Sequence, residues 1–130
     1  MFLSERNPLL TLKRWFQTRL RDMAESVRRL REAGARVDAD PALGRDLEVV
    51  RIHEQGSDWV LRDFDPTSRP LKAFGQDANA TAARARVIDA LRDTTDPILR
   101  LILRRITREP PSENIHWSPS RQKILVIDMQ

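Results

Sequence analysis

Along the first third of the chain, hydrophobic residues recur at alternating spacings of four and three. Phe16, Leu20, Met23, Val27 and Leu30 form this row, and Leu9 precedes Phe16 by one heptad. Asn7-Pro8 has the form of an N-cap followed by proline at the first helical position, and Gly34 that of a C-terminal stop. The spacing predicts a long amphipathic helix over residues 8–34, about 40 Å at ~1.5 Å per residue. Arg14, Arg21 and Arg28 recur every seven residues beside the row, and Arg21–Glu25, Glu25–Arg29 and Arg28–Glu32 are spaced for ion pairs across one turn. A helix this long exceeds what a small domain needs, so the seam is expected to pack on another element, such as a second copy of the chain.

The pattern then changes period. Residues 35–45 carry the breakers Asp38, Asp40, Pro41 and Gly44 and read as a connector. Leu47 to Glu54 alternates, Glu54-Gln55-Gly56-Ser57 supplies a turn, and Trp59 to Phe64 is rich in β-formers. Leu71 to Phe74 reads as a short third strand, so residues 46–75 predict a hairpin or three-stranded meander. Asp77 caps a helix through Arg92 whose apolar stripe is Ala80, Ala83, Val87 and Leu91. Asp96-Pro97 opens a second helix, Ile98 to Thr107, completing a helical pair within 77–108. That helix is apolar nearly all round except for an exposed stripe of Arg100, Arg104 and Arg108, so its apolar remainder must be buried on more than one side. Pro110-Pro111 breaks it, Ser112 to Arg121 reads as a polar loop, and Lys123 to Met129 is a β-run in the tail 109–130. This run is expected to join the chain's own sheet by a long return, the alternative being a partner's sheet edge. The expectation is one α+β domain: a long N-terminal helix, a small antiparallel sheet and two C-terminal helices.

Length and charge narrow the class. The chain has 130 residues, no cysteine, 23 basic and 19 acidic residues, and a net charge of +4. There is therefore no disulfide framework and no thiolate chemistry, which fits a cytoplasmic protein. All but three basic residues (Lys13, Lys72 and Lys123) are arginine, a bias expected of a GC-rich genome. Charge is unevenly spread: residues 8–34 are net +4, residues 35–96 net −3 and residues 97–108 net +4. Two basic helical segments flanking an acidic middle imply either a bipartite surface for an anionic partner or internal pairing of the segments. No stretch approaches the ~20 apolar residues of a membrane span, and the interleaved acids Asp22, Glu25 and Glu32 spoil a membrane-surface helix around Trp15 and Phe16. No membrane partner is expected.

Catalytic and metal motifs are lacking. His53 and His116 are the two histidines and lie on different predicted elements, so no zinc spacing exists. Ser57 and Asp58 neighbour His53, but at a hairpin their ordinary work is to stabilise the turn. Asp58, Asp63 and Asp65 read as solvated turn acids, and no glycine-rich phosphate loop is present. Leu125-Val126-Ile127-Asp128-Met129-Gln130 resembles the first strand of the isochorismatase-like hydrolases, in which the aspartate at the strand's end belongs to the catalytic set. The likeness covers these six residues, and the cysteine nucleophile of that family is missing. The segment is read as a buried strand, with no cofactor, no metal and no catalytic residue expected.

The functional expectation is a non-enzymatic interaction or assembly protein, forming a homodimer or binding a protein partner. Self-association would use Phe16, Leu20, Met23, Val27 and Leu30, with a second contact through Leu101 and Leu103. The alternative is a nucleic-acid-binding accessory factor or regulator using Arg14, Arg21, Arg28, Arg29 and Arg31 together with Arg100, Arg104, Arg105 and Arg108. Aromatic residues make up 5% of the chain and tyrosine is absent, which argues against base-stacking platforms.

Overall fold

The computed structural model describes residues 9–14 and 20–129. In chain order these form β1 (Leu9–Arg14), α1 (Leu20–Asp38), the single turn α2 (Pro41–Gly44), β2 (Leu47–Val49), β3 (Ile52–Gln55), β4 (Trp59–Phe64) and β5 (Arg69–Pro70). A 3-10 turn (Leu71–Phe74), α3 (Ala78–Leu91), α4 (Pro97–Thr107), β6 (Ile115–Ser118) and β7 (Lys123–Val126) follow. The strands make two sheets, ordered β1-β4-β3 and β2-β7-β6-β5. The first is antiparallel; in the second, β2 runs parallel to β7 while β6 and β5 are antiparallel. The α+β class stands, with two sheets in place of one.

The long N-terminal helix begins later than its heptads suggest. Residues 9–14 are a strand, with Leu9 opposite Phe64 and Arg14 opposite Trp59 in β4. Six residues of cross-strand pairing outweigh a local helical pattern that a stretch with leucine at 9, 10 and 12 satisfies only in part. The predicted cap at Asn7-Pro8 and the seam residue Phe16 lie outside the described residues. At the other end the helix continues through Gly34 to Asp38, because Ala33 and Val37 are both buried and their packing repays the extra turn. The stop is set by Pro41, which holds the preceding Asp40 extended (φ −125°, ψ 93°).

Inside α1, Met23, Val27 and Leu30 are 5%, 5% and 4% exposed, and Leu20 is half-buried. Met23 and Val27 pack with Val60 of β4, and Leu30 joins the main core. The seam expected to self-associate is therefore spent within the chain: it is the face by which α1 lies on both sheets. Leu101 and Leu103 are half-buried and packed against the main core.

The helical pair matches its caps. Asp77 accepts from the Ala80 amide, and Asp96 from the Ile98 and Leu99 amides at 2.8 and 3.3 Å. Ala80, Ala83, Val87 and Leu91 are buried, as are Ile98, Ile102 and Ile106 of α4. Other boundaries differ. Leu47 to Glu54 divides between two sheets, with the Val50 amide donating to the Val126 carbonyl (3.0 Å) at the crossing point. Leu71–Phe74 is a 3-10 turn, and the predicted loop before β7 contains β6. β7 pairs at home, between β2 and β6, where Ile124, Leu125 and Val126 are almost fully buried.

Candidate anion-binding face

Many arginines pair with acids inside the chain, but among the described residues these pairs form mostly within the segments and do not join the two basic segments to the acidic middle. Arg36 of α1 reaches Asp96 at the start of α4 (2.9 Å), Arg86 forms a two-pronged bond with Asp46 (3.0 Å each), Arg84 pairs with Glu109 and Arg121 with Glu48. On α1, Arg28 lies between Glu25 and Glu32, and the guanidinium of Arg29 contacts Glu25 at 3.1 Å and the Met129 carbonyl at 3.3 Å. Arg31 bonds the Gln55 side chain. Arg14 sits on β1, so it cannot extend a helical arginine stripe with Arg21 and Arg28 as the seven-residue spacing implied.

The arginines at the end of α4 are different. Among the described residues, no carboxylate lies within ion-pair distance of Arg104, Arg105 or Arg108 (Arg100, one turn earlier, is likewise without one). After α4 the chain folds back, with the Ser112 amide donating to the Arg105 carbonyl at 3.0 Å. The Asn114 carbonyl then accepts from the Ile127 amide, also at 3.0 Å. This return leaves an open depression of about 700 Å³ walled by Arg104, Arg105 and Arg108 on one side and by Ser112 and Asn114 on the other. Ser112 and Asn114 escaped the sequence reading because the fold-back that brings them to α4 is non-local; Pro110-Pro111 marked a break but not its direction.

The electrostatics of this end are unbalanced. Burial lowers the pKa of Arg105; Asp128 opposes this, and the neighbouring Arg29, Arg108 and Arg104 deepen it. Cations on the last turn of a helix are favoured by its dipole, which offsets part of the repulsion. An incoming anion would offset the rest.

The other candidates fall apart in space. His53 Nε2 is 2.5 Å from Asp63 Oδ1, on neighbouring strands, rather than with Ser57 and Asp58 at the turn. Asp65 accepts from Thr67 and Ser118. Asp128 is 1% exposed and accepts from Lys13, from the Ser26 hydroxyl at 2.5 Å and from the Met129 amide at 2.7 Å, with Arg62 at 3.9 Å. These partners occupy its oxygens structurally. Among the described residues, no three acidic or histidine side chains gather as a metal site, and no helix is long and apolar enough to cross a membrane. Comparison with protein-family models, curated proteins and solved structures finds no match to this chain.

Proposed function

We propose that this chain is a non-enzymatic cytoplasmic binding protein that docks an anionic polymer, the phosphate backbone of nucleic acid, on the C-terminal end of α4. One observation carries the reading. Arginines of α1, β4 and α3 are tied to acids, whereas Arg104, Arg105 and Arg108 stand together around an open depression without one among the described residues. Ser112 and Asn114 supply neutral hydrogen-bonding groups beside them, as phosphate contacts commonly do. The test is fluorescence anisotropy with a labelled duplex across a salt series. Binding should fall steeply with salt. Arg104→Glu with Arg108→Glu should weaken it tenfold or more, and should flatten the salt slope by about 0.9 for each phosphate that is no longer neutralised. Binding that ignores salt, or survives the double variant, would overturn the proposal.

Assembly with a protein partner or a second copy is the second reading, and a separate observation supports it. Leu10 and Leu12 are 37% and 49% exposed on β1, which is an edge strand of its sheet among the described residues. Light scattering at low and high salt separates the two: a nucleic-acid-free dimer that persists in high salt favours assembly.

A further inference from the structure

Between the two sheets lies a cleft of about 220 Å³, distinct from the arginine face. The inner face of β4 and β1 supplies one wall, where Arg62 and Thr11 are direct cross-strand partners and so project side by side. The facing sheet supplies His116 and, one strand over, Leu125 and Ile127. Ser68 closes one side, its hydroxyl 3.0 Å from His116 Nδ1.

Arg62 is the cation in this lining, and it is deeply set, with its side chain 14% exposed. One of its terminal nitrogens donates to the Ile127 carbonyl at 2.5 Å, and Asp128 lies at 3.9 Å, beyond hydrogen-bonding distance. A guanidinium carries five N–H groups; the rest make no hydrogen bond to the described residues, although Asp128 stays close enough to act as counter-charge. The two acids of the lining are turned onto other groups. Asp63 takes His53 on one oxygen and the Arg51 amide on the other. Asp65 takes Thr67 on one oxygen and Ser118 on the other. The cleft therefore offers a ligand the remaining Arg62 N–H groups and the Thr11 hydroxyl as donors, while each oxygen of Asp63 and Asp65 is already engaged by a donor of the fold. The remaining field of Asp63 and Asp65 disfavours a second negative charge, and Phe64, Leu125 and Ile127 furnish an apolar wall.

We propose that this cleft binds a small monocarboxylate, its carboxylate on Arg62 and Thr11 and its apolar body against Phe64 and Ile127. Guanidinium and carboxylate match in shape and charge, and a partly desolvated pair gains over an exposed one. Burial and the nearby Arg62 lower the pKa of His116, which keeps the ring neutral and makes it a reporter of a new charge beside it.

Benzoate is the probe, and inorganic phosphate the control, titrated into the full-length protein and followed by NMR of the His116 ring and the Thr11 methyl. Saturable shifts of both with benzoate, and weaker ones with phosphate, are expected. Arg62→Gln should weaken benzoate at least about tenfold. Because Arg62 also supports the fold, Phe64→Asp provides an independent variant. Phe64 is 44% exposed, so the variant should keep the fold, yet it puts a repelling charge at the mouth and should abolish the shifts. No saturable shift in the wild type, benzoate binding unchanged in Phe64→Asp, or tighter binding of phosphate would each overturn the proposal. The reporters His116 and Thr11 line this cleft and not the depression of Arg104 and Arg108, so the outcomes are read separately from nucleic-acid binding there.

Discussion

Asp128 shows how much one buried side chain can organise. It connects β1 through Lys13, α1 through Ser26 and β4 through Arg62 to the end of β7. Burial alone would raise its pKa; the hydrogen bonds from Lys13 and Ser26, with the charges of Lys13 and Arg62, more than reverse this and hold it below the usual carboxylate value. The sign of the pH effect follows. With a folded pKa below the unfolded one, ionised Asp128 stabilises the fold fully above the ordinary carboxylate range, and that contribution is lost as pH falls through the depressed value. Asp128→Asn leaves the partly buried cations Lys13 and Arg62 without their counter-charge and should cost about 3 kcal/mol at pH 7. Urea denaturation at neutral and acidic pH would check both points: the variant should be weaker at pH 7 and lose less on acidification than the wild type.

At the scale of elements, α4 begins on Asp96, which has two kinds of partner. Its carboxylate accepts the Ile98 and Leu99 amides and also the Arg36 guanidinium at 2.9 Å, and the Arg36 bond is the largest influence lowering its pKa. Exposed ion pairs contribute little, so the cap should dominate. Asp96→Ala is expected to cost about 1 kcal/mol, whereas Asp96→Asn, which caps but carries no charge, should retain most of the stability. Equal losses in a denaturant titration would show that the ion pair matters more than the cap. The same helix explains what was legible in the sequence. Its cap, its proline and its three-four apolar spacing are local signals, as are those of α3, and both helices appear where these signals put them. What was not legible depended on distant partners. Residues 9–14 became a strand because β4 was available, and Leu47 to Glu54 divided because Val50 meets Val126 in the other sheet. The arginine face was visible as a stripe of Arg100, Arg104 and Arg108, but the neutralisation of Arg28 and Arg29, and the arrival of Ser112 and Asn114, were not. The inter-sheet cleft had no sequence signature at all, since its residues come from separate segments of the chain.

For the whole molecule, the fate of the heptad seam decides how substitutions will read. Val27 touches Val60 in a small second cluster beneath the first sheet. Val27→Asp should therefore unfold the protein, at a cost of at least about 3 kcal/mol, rather than release a folded monomer; far-ultraviolet circular dichroism together with light scattering distinguishes these outcomes. Leu12, 49% exposed, offers the contrast: Leu12→Ser should leave the melting temperature within a few degrees. The central position of β7 carries a consequence for biosynthesis. Among the described residues β2 is an edge whose one neighbour in its sheet is β7, and the paired residues lie 77 positions apart in the chain, as with Leu47 and Ile124. At ~5–20 residues per second, a ribosome leaves Leu47 and Val49 without their strand partner for roughly 4–15 s. During that interval the nascent chain presents an apolar, unpaired strand to its surroundings. Early-binding chaperones would then act on residues 47–49, and slowing translation between β2 and β7 should lower the yield of folded protein.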